Sequence, residues 1–487
     1  VSAAVRRTLL ELLDAPDGRP RDPHGRAVVG ERRTLTWGDL RTEAGALADR
    51  LVRAGAKPGT AVAVRAADGA DMVVAVIGVW LAGGVFVPLN DRATEVEVRA
   101  VLEQLRPSVL VQDGRIAPLD DPTEHDPDVA LITFTSGTTG PPAPVLQRHS
   151  GVLAMFEPVL ATLLGERAAA AESRPDPMPN LIPVPLSLWA GLYNVLFAFR
   201  VGAPVVLMDR FETGRFAELI ARFGIRSTVL PPAAMVMLTD DPHLHSLEPL
   251  RYVRSITAPL SPLQARRFRD RFGVTVLNGY GQTEFGGEIA GWSAADARAF
   301  GESHLGAAGR IHDGVEVQVR DEAGRVLAAG QEGELWVRTP AITAARRAGT
   351  APADRMDADG WLRSGDIVRF DDQGFLWIEG RVSDVINRGG LKVHPGEVEE
   401  VLRLAPEVAD VAVAGVPDER LGEVPWAFVV PADGQSSLDE EALRERCRAV
   451  LAPYKVPARV VTVTEVPRTP VGKVRRGELA RGAAPPR

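Results

Sequence analysis

The chain has 487 residues, more than one hydrophobic core ordinarily organises, so two or more domains are expected. Hydrophobic residues make up 45% and charged residues 25%, which excludes a largely disordered or fibrous chain. The formal net charge is -8 with arginines scattered among carboxylates, so there is no basic footprint for nucleic acid, and the single cysteine, Cys447, excludes an internal disulfide.

Apolar runs alternate with helical patterns from residue 33 to 111: a strand at 34–37, a helix at 38–54, a strand at 61–65, a helix at 72–81 and a strand at 85–88. The longest apolar run, 72–89, is broken by Gly83, Gly84 and Pro88 and lacks aromatic or basic flanks, so a buried helix entering a core strand is expected, not a membrane span. A second layered stretch follows, with strands at 205–208, 227–230, 255–258 and 274–277. Between 314 and 381 the pattern changes to strict alternation with tight turns at 321–325 and 371–374, the mark of hairpins. After Arg381, Pro395 opens a helix with Val398, Val401 and Leu402 on one face, and strands follow near 411–413 and 427–430. The expected fold is therefore α/β: a large N-terminal domain of doubly wound sheets with a small β-structure (1–381), then a small mobile α+β domain (382–487). No signal peptide is visible, and the cytoplasm is the expected compartment.

The most informative segment is TFTSGTTGPPAP at 133–144, placed after an apolar strand at 129–132. The hydroxyls of Thr135, Ser136, Thr138 and Thr139, with backbone amides at Gly137 and Gly140, can wrap successive phosphate oxygens. It lacks the Gly-Lys-Ser/Thr ending of ordinary nucleotide loops. Lys473 lies in a Pro- and Gly-rich loop far along the chain, a cation that domain closure can deliver to a reacting centre.

TSGTTG at 135–140, NGYGQTE at 278–284, GWLRSGD at 360–366, GRVSDVINRGGLKVHPGEVEEVL at 380–402 and PRTPVGKVRR at 467–476 occur in one order. Together they resemble the motifs of the superfamily of adenylate-forming enzymes that contains acyl-CoA synthetases, nonribosomal adenylation domains and luciferases. The resemblance implies an ATP-dependent, AMP-forming acid ligase that makes an acyl-adenylate and passes the acyl group to coenzyme A. It implies nucleotide contacts from Thr135, Ser136, Gly137, Thr138, Thr139, Gly140, Asn278, Gly279, Tyr280, Gly281, Asp366 and Arg381. Thr283 faces the α-phosphate, Glu284 holds Mg2+, and Lys473 stabilises the transition state. The acyl pocket is implied at Ser187, Leu188, Trp189, Ile256, Thr257 and Ala258, and the coenzyme A tunnel at Gly389 and Gly390. The stretch 185–192 offers no carboxylate to pair with an amino acid's ammonium, so a neutral small-molecule carboxylic acid is expected.

The chain departs from the family at several places. Ala143 stands where the phosphate loop normally carries a lysine, with Arg148 and His149 the nearest candidates to replace it. Ser383, followed by Asp384, stands at the hinge. Ser187 and Leu188 replace an aromatic-histidine pair, and Ile256 and Thr257 replace glycines. Besides a coenzyme A ligase, an acyl-carrier-protein-loading ligase and a nucleotide-binding pseudoenzyme are therefore compatible with the sequence.

Overall fold

The computed structural model describes residues 7–15, 18–112, 114–134, 143–164, 177–258, 260–347, 352–432, 438–468 and 473–483. Thr36 opens the helix Trp37–Arg53 with a capping box, its hydroxyl accepting from the Asp39 amide while Asp39 reaches back. The helix Gly69–Leu81 has nearly every side chain buried and leads into the fully buried strand Val85–Leu89. The apolar run is thus interior, and no described helix is long and apolar enough to cross a membrane.

The first sheet runs Arg115–Pro118, Val109–Gln112, Ala61–Arg65, Val85–Leu89, Val129–Phe134, Pro144–Arg148, parallel at its centre and antiparallel at both edges. The glycine- and threonine-rich loop connects the last two strands. Thr135, Ser136, Gly137, Thr138, Thr139 and Gly140 lie outside the described residues. A second sheet joins Arg26–Val29 to Val205–Leu207 and Asn180–Ile182, and a third is wholly parallel: Ser227–Leu230, Tyr252–Ser255, Thr275–Asn278. The strand expected at 255–258 instead ends at Ser255. Thr257 has φ of 75°, outside the β region, and this turns the chain out of the sheet.

Three short strands, Tyr280–Gln282, Gly287–Gly291 and Arg310–Ile311, lead to an antiparallel meander of Glu316–Arg320, Gly333–Arg338, Leu362–Phe370 and Leu376–Arg381. The remaining chain forms a five-stranded sheet around the long pair Val408–Asp418 and Gly422–Pro431, covered by the helices Pro395–Arg403 and Glu440–Val450. Cys447 is buried there, and burial pushes its thiol up to about 11, as befits a packed, unreactive residue. This unit has its own apolar clusters and rests on the larger body through polar contacts: Ser261 Oγ donates to Glu400 at 3.1 Å, and Lys392 pairs with Glu322.

Candidate active site

The strand Leu362–Phe370 carries Asp366, which is 4% exposed and held on both carboxylate oxygens. Tyr280 donates to Oδ2 at 2.6 Å and Gln282 to the same oxygen at 2.7 Å, while Arg381 Nε lies 3.2 Å from Oδ1. The pairing is written into the sheet, because Asp366 and Arg381 are opposed in register across two antiparallel strands. Burial, followed by the charge of Asp366, drives the Tyr280 phenol far above its ordinary range, so it stays a donor.

Tyr280 reaches Asp366 because the neighbouring backbone is crowded. A Cβ on Gly281 would lie 2.4 Å from the carbonyl oxygen of Gly287, so only glycine lets these two strands cross. The following turn, Thr283–Phe285, is fixed from the phosphate-loop side: Gln147, in the strand after that loop, donates to the Thr283 carbonyl. Glu284 projects beside it and accepts from Arg355 Nη1 at 2.7 Å. Asn278, also buried, donates to the Gly306 carbonyl at 3.3 Å, and the Gly279 amide to Ser255 at 3.0 Å.

Lys473 arrives from the small unit. The base of its loop is pinned by the bridge between Arg468 and Val474 and by the Arg475 amide donating to Pro467 at 2.8 Å. Burial and then Arg381 lower its pKa, opposed by Asp366 and Glu284, so its ammonium lies within electrostatic reach of those three residues. Glu284, Asp366, Tyr280, Arg381 and Lys473 are therefore brought together. Among the described residues no group of three or more His, Cys, Asp or Glu can hold a metal ion. The donor set nevertheless fits Mg2+, which commonly takes one carboxylate and completes its shell with phosphate oxygens and water.

On the acyl side, Leu188 and Ile256 pack against the cluster that contains Trp189 and Tyr193. Trp189 Nε1, Ser255 Oγ and Thr257 Oγ1 are buried without a hydrogen-bond partner among the described residues. Phe156, Trp189, Tyr193 and Phe197 form an aromatic cluster of mostly edge-on and tilted rings, with Trp189 and Tyr193 centroids 5.7 Å apart. Behind it, Glu288 is paired with Arg254 and lies 3.2 Å from His312. Ser187 lines a cavity with Ala66, Met72 and Asp209. Ala258 is half-buried.

Gly389 and Gly390 form the two-residue turn between Ile386–Arg388 and Leu391–Val393, with φ of 59° and 88°, as a type I′ hairpin requires. The turn is exposed. At the position expected to be the hinge, Ser383 donates to Asp384 at 2.9 Å, and Asp384 pairs with Arg476, which also binds the buried Glu399.

The two residues expected to replace the loop lysine are committed elsewhere. Arg148 is 7% exposed and pairs with Asp128 at 3.0 Å and Asp126 at 3.1 Å. His149 accepts from the Leu9 amide at 3.2 Å, and burial pushes its pKa down to about 4, so it is a neutral interior ring. Sequence reasoning also passed over Gln147, Gln282, Ser364 and Arg355. Gln282 lies inside a quoted motif, whereas Arg355 carries no motif signal.

A profile of the AMP-binding enzyme family matches residues 19–127 and 112–345, and one of the AMP-binding enzyme C-terminal domain matches 397–473. Indoleacetate–CoA ligase of Aromatoleum aromaticum is 31% identical over 499 residues, covering 94% of this chain and 95% of the relative. The fatty acid–acyl-carrier-protein ligase ScoC of Streptomyces coeruleorubidus is 30% identical, over 94% and 93% of the two chains. Among solved structures, the amide bond synthetase McbA of Marinactinospora thermotolerans is similar with a TM-score of 0.80 at 30% identity, over 98% of this chain and 99% of that one. The chain belongs to the AMP-binding enzyme family, within the superfamily of adenylate-forming enzymes whose motifs it carries.

Proposed function

We propose that the protein is an ATP-dependent, AMP-forming acid:CoA ligase, with 1–381 binding ATP and acid and 382–487 delivering Lys473. The observation that carries this reading is the convergence of Lys473 with Glu284, Asp366 and Arg381 from distant parts of the chain. Asp366 and Arg381 take the ribose hydroxyls, exchanging part of their mutual contact for the sugar, and Tyr280 presents its ring to the adenine. A carboxylate oxygen of the acid attacks the α-phosphorus, the bond to the bridging oxygen of the β-phosphate breaks, and pyrophosphate leaves. Mg2+ held by Glu284 would supply charge neutralisation of the departing pyrophosphate. Lys473 stabilises the charge shared by the attacking carboxylate and the α-phosphate, and Thr283 faces that same phosphate.

The thiol of coenzyme A then attacks the acyl carbonyl and AMP leaves. Because Gly389 and Gly390 are exposed while Lys473 faces the site, this step calls for the small unit to turn about Ser383 and Asp384. ScoC supports a second acceptor, an acyl-carrier protein. The stretch 185–192 offers no carboxylate to an ammonium, which supports a neutral acid, and the aromatic cluster with Trp189 and Thr257 lacking a hydrogen-bond partner among the described residues supports an aromatic one bearing a hydrogen-bonding group. The cytoplasm, where ATP and coenzyme A are at hand, belongs to the same reading.

Pyrophosphate release across a panel of aromatic, branched and fatty acids, repeated with coenzyme A or a carrier protein as acceptor, tests it. Acid-dependent release with acyl-CoA formation is expected. Transfer to the carrier protein alone would move the assignment to the second acceptor, and no release with any acid would defeat both.

A further inference from the structure

Ala143 leaves the phosphate loop without its lysine, and Arg148 and His149 are turned to other partners. A cation on the opposite wall is held quite differently. Arg355 anchors one edge of its guanidinium on the backbone of the strand that carries Asp366: Nε and Nη2 donate to the Arg363 carbonyl at 3.2 and 2.8 Å, and Nη2 reaches that of Ser364 at 3.3 Å. The other edge, Nη1, faces Glu284, the carboxylate assigned to Mg2+ above. Only a forked side chain can be tethered and presented in this way, and a guanidinium matches phosphate oxygens as well as carboxylates.

We infer that Arg355 is the phosphate-binding cation that stands in for the missing loop lysine, and that it exchanges its contact with Glu284 for the phosphates when Mg2+ and nucleotide bind. This rests on the ATP-dependent reading above. Glu284 cannot serve Nη1 and Mg2+ equally, because a divalent cation arriving with the nucleotide sets like charge beside the guanidinium. Nη1 is then released toward the incoming phosphates while Nε and Nη2 keep their hold on Arg363. The charges agree: among the described residues Lys473, Arg381 and Arg355 face Glu284 and Asp366, an excess of positive charge where a polyphosphate is to sit.

The test is calorimetric binding, without acid or thiol, of Mg2+ with α,β-methylene-ATP and separately of AMP. Arg355→Ala should weaken the triphosphate by about tenfold or more and leave AMP unchanged, since AMP has no terminal phosphates. Adding Ala143→Lys to Arg355→Ala should restore much of the loss, and Arg355→Lys should fall between, which keeps the test open if the alanine variant does not fold. Equal weakening of AMP and triphosphate, or no weakening of either, would overturn the inference and leave the ligase reading standing. Wild-type protein that binds neither nucleotide would overturn both.

Discussion

Asp366 is gripped on both oxygens by Tyr280, Gln282 and Arg381, whereas Ser255 and Thr257, at the acyl loop, bury hydroxyls that meet no partner among the described residues and Thr257 holds a φ of 75°. In the nucleotide corner each polar group is over-determined, so removing one leaves another buried and unpaired. In the acyl loop a β-branched residue occupies a backbone conformation suited to glycine, and strain of about 1–3 kcal/mol is stored where selectivity is set. Substitutions in the first region should weaken binding or slow catalysis strongly, and those in the second should shift stability and preference.

The largest expected effect is that of Lys473→Ala, about 100- to 1,000-fold on acyl-adenylate formation, with thioester formation from supplied acyl-adenylate nearly unchanged. Equal loss in both half-reactions, followed by rapid quench, would show that the lysine does not act on the α-phosphate. Because burial and then Arg381 lower its pKa, the adenylation rate should fall on the alkaline side before pH 10.5, the ordinary lysine value.

Next comes His149, on the phosphate-loop side. Its folded pKa of about 4 lies below its ordinary 6.5, so the fold keeps the neutral ring. The contribution is complete above about pH 6.5 and is lost as pH falls toward 4, by up to about 3 kcal/mol. Urea unfolding of wild type and His149→Gln across that window should show the slope in the former and a flatter profile in the latter.

Asp366→Ala should weaken nucleotide binding by about 1.5–3 kcal/mol in both half-reactions, because Tyr280 and Arg381 lose a charged partner. Unchanged AMP affinity would separate Asp366 from the ribose. The smallest effect is expected of Thr257→Gly, a gain of about 1 kcal/mol from relief of strain less the entropy of a freer unfolded chain. Combined with Ile256→Gly it should widen the acid range toward bulkier substrates, with preferences moving by about 1–3 kcal/mol per methylene. Identical relative rates across the acid panel would remove this loop from the pocket.

The strands Ala61–Arg65 and Ser227–Leu230 and the helix Pro395–Arg403 are legible in the sequence, since hydrophobic period, turn residues and Pro395 are all local signals. So is the nucleotide corner, because its partners sit within contiguous motifs. Gln147 and Arg355 are not, for each acts on a residue far along the chain, 136 and 71 positions away. Arg148 and His149 looked suited to phosphate because they follow the loop closely. Proximity in sequence does not reveal direction, and Asp126, Asp128 and the Leu9 amide turn them inward. The apolar stretch at 255–258 reads as strand by composition, and only the backbone at Thr257 shows that the sheet has ended.

A single-turnover reaction of protein with ATP, Mg2+ and an accepted acid, with thiol withheld, tests the account most directly. It should release pyrophosphate in near-equal amount to protein and leave an acyl-adenylate that discharges to acyl-CoA and AMP when coenzyme A is added. Release of ADP and phosphate, or bound nucleotide that yields no pyrophosphate with any acid, would contradict it.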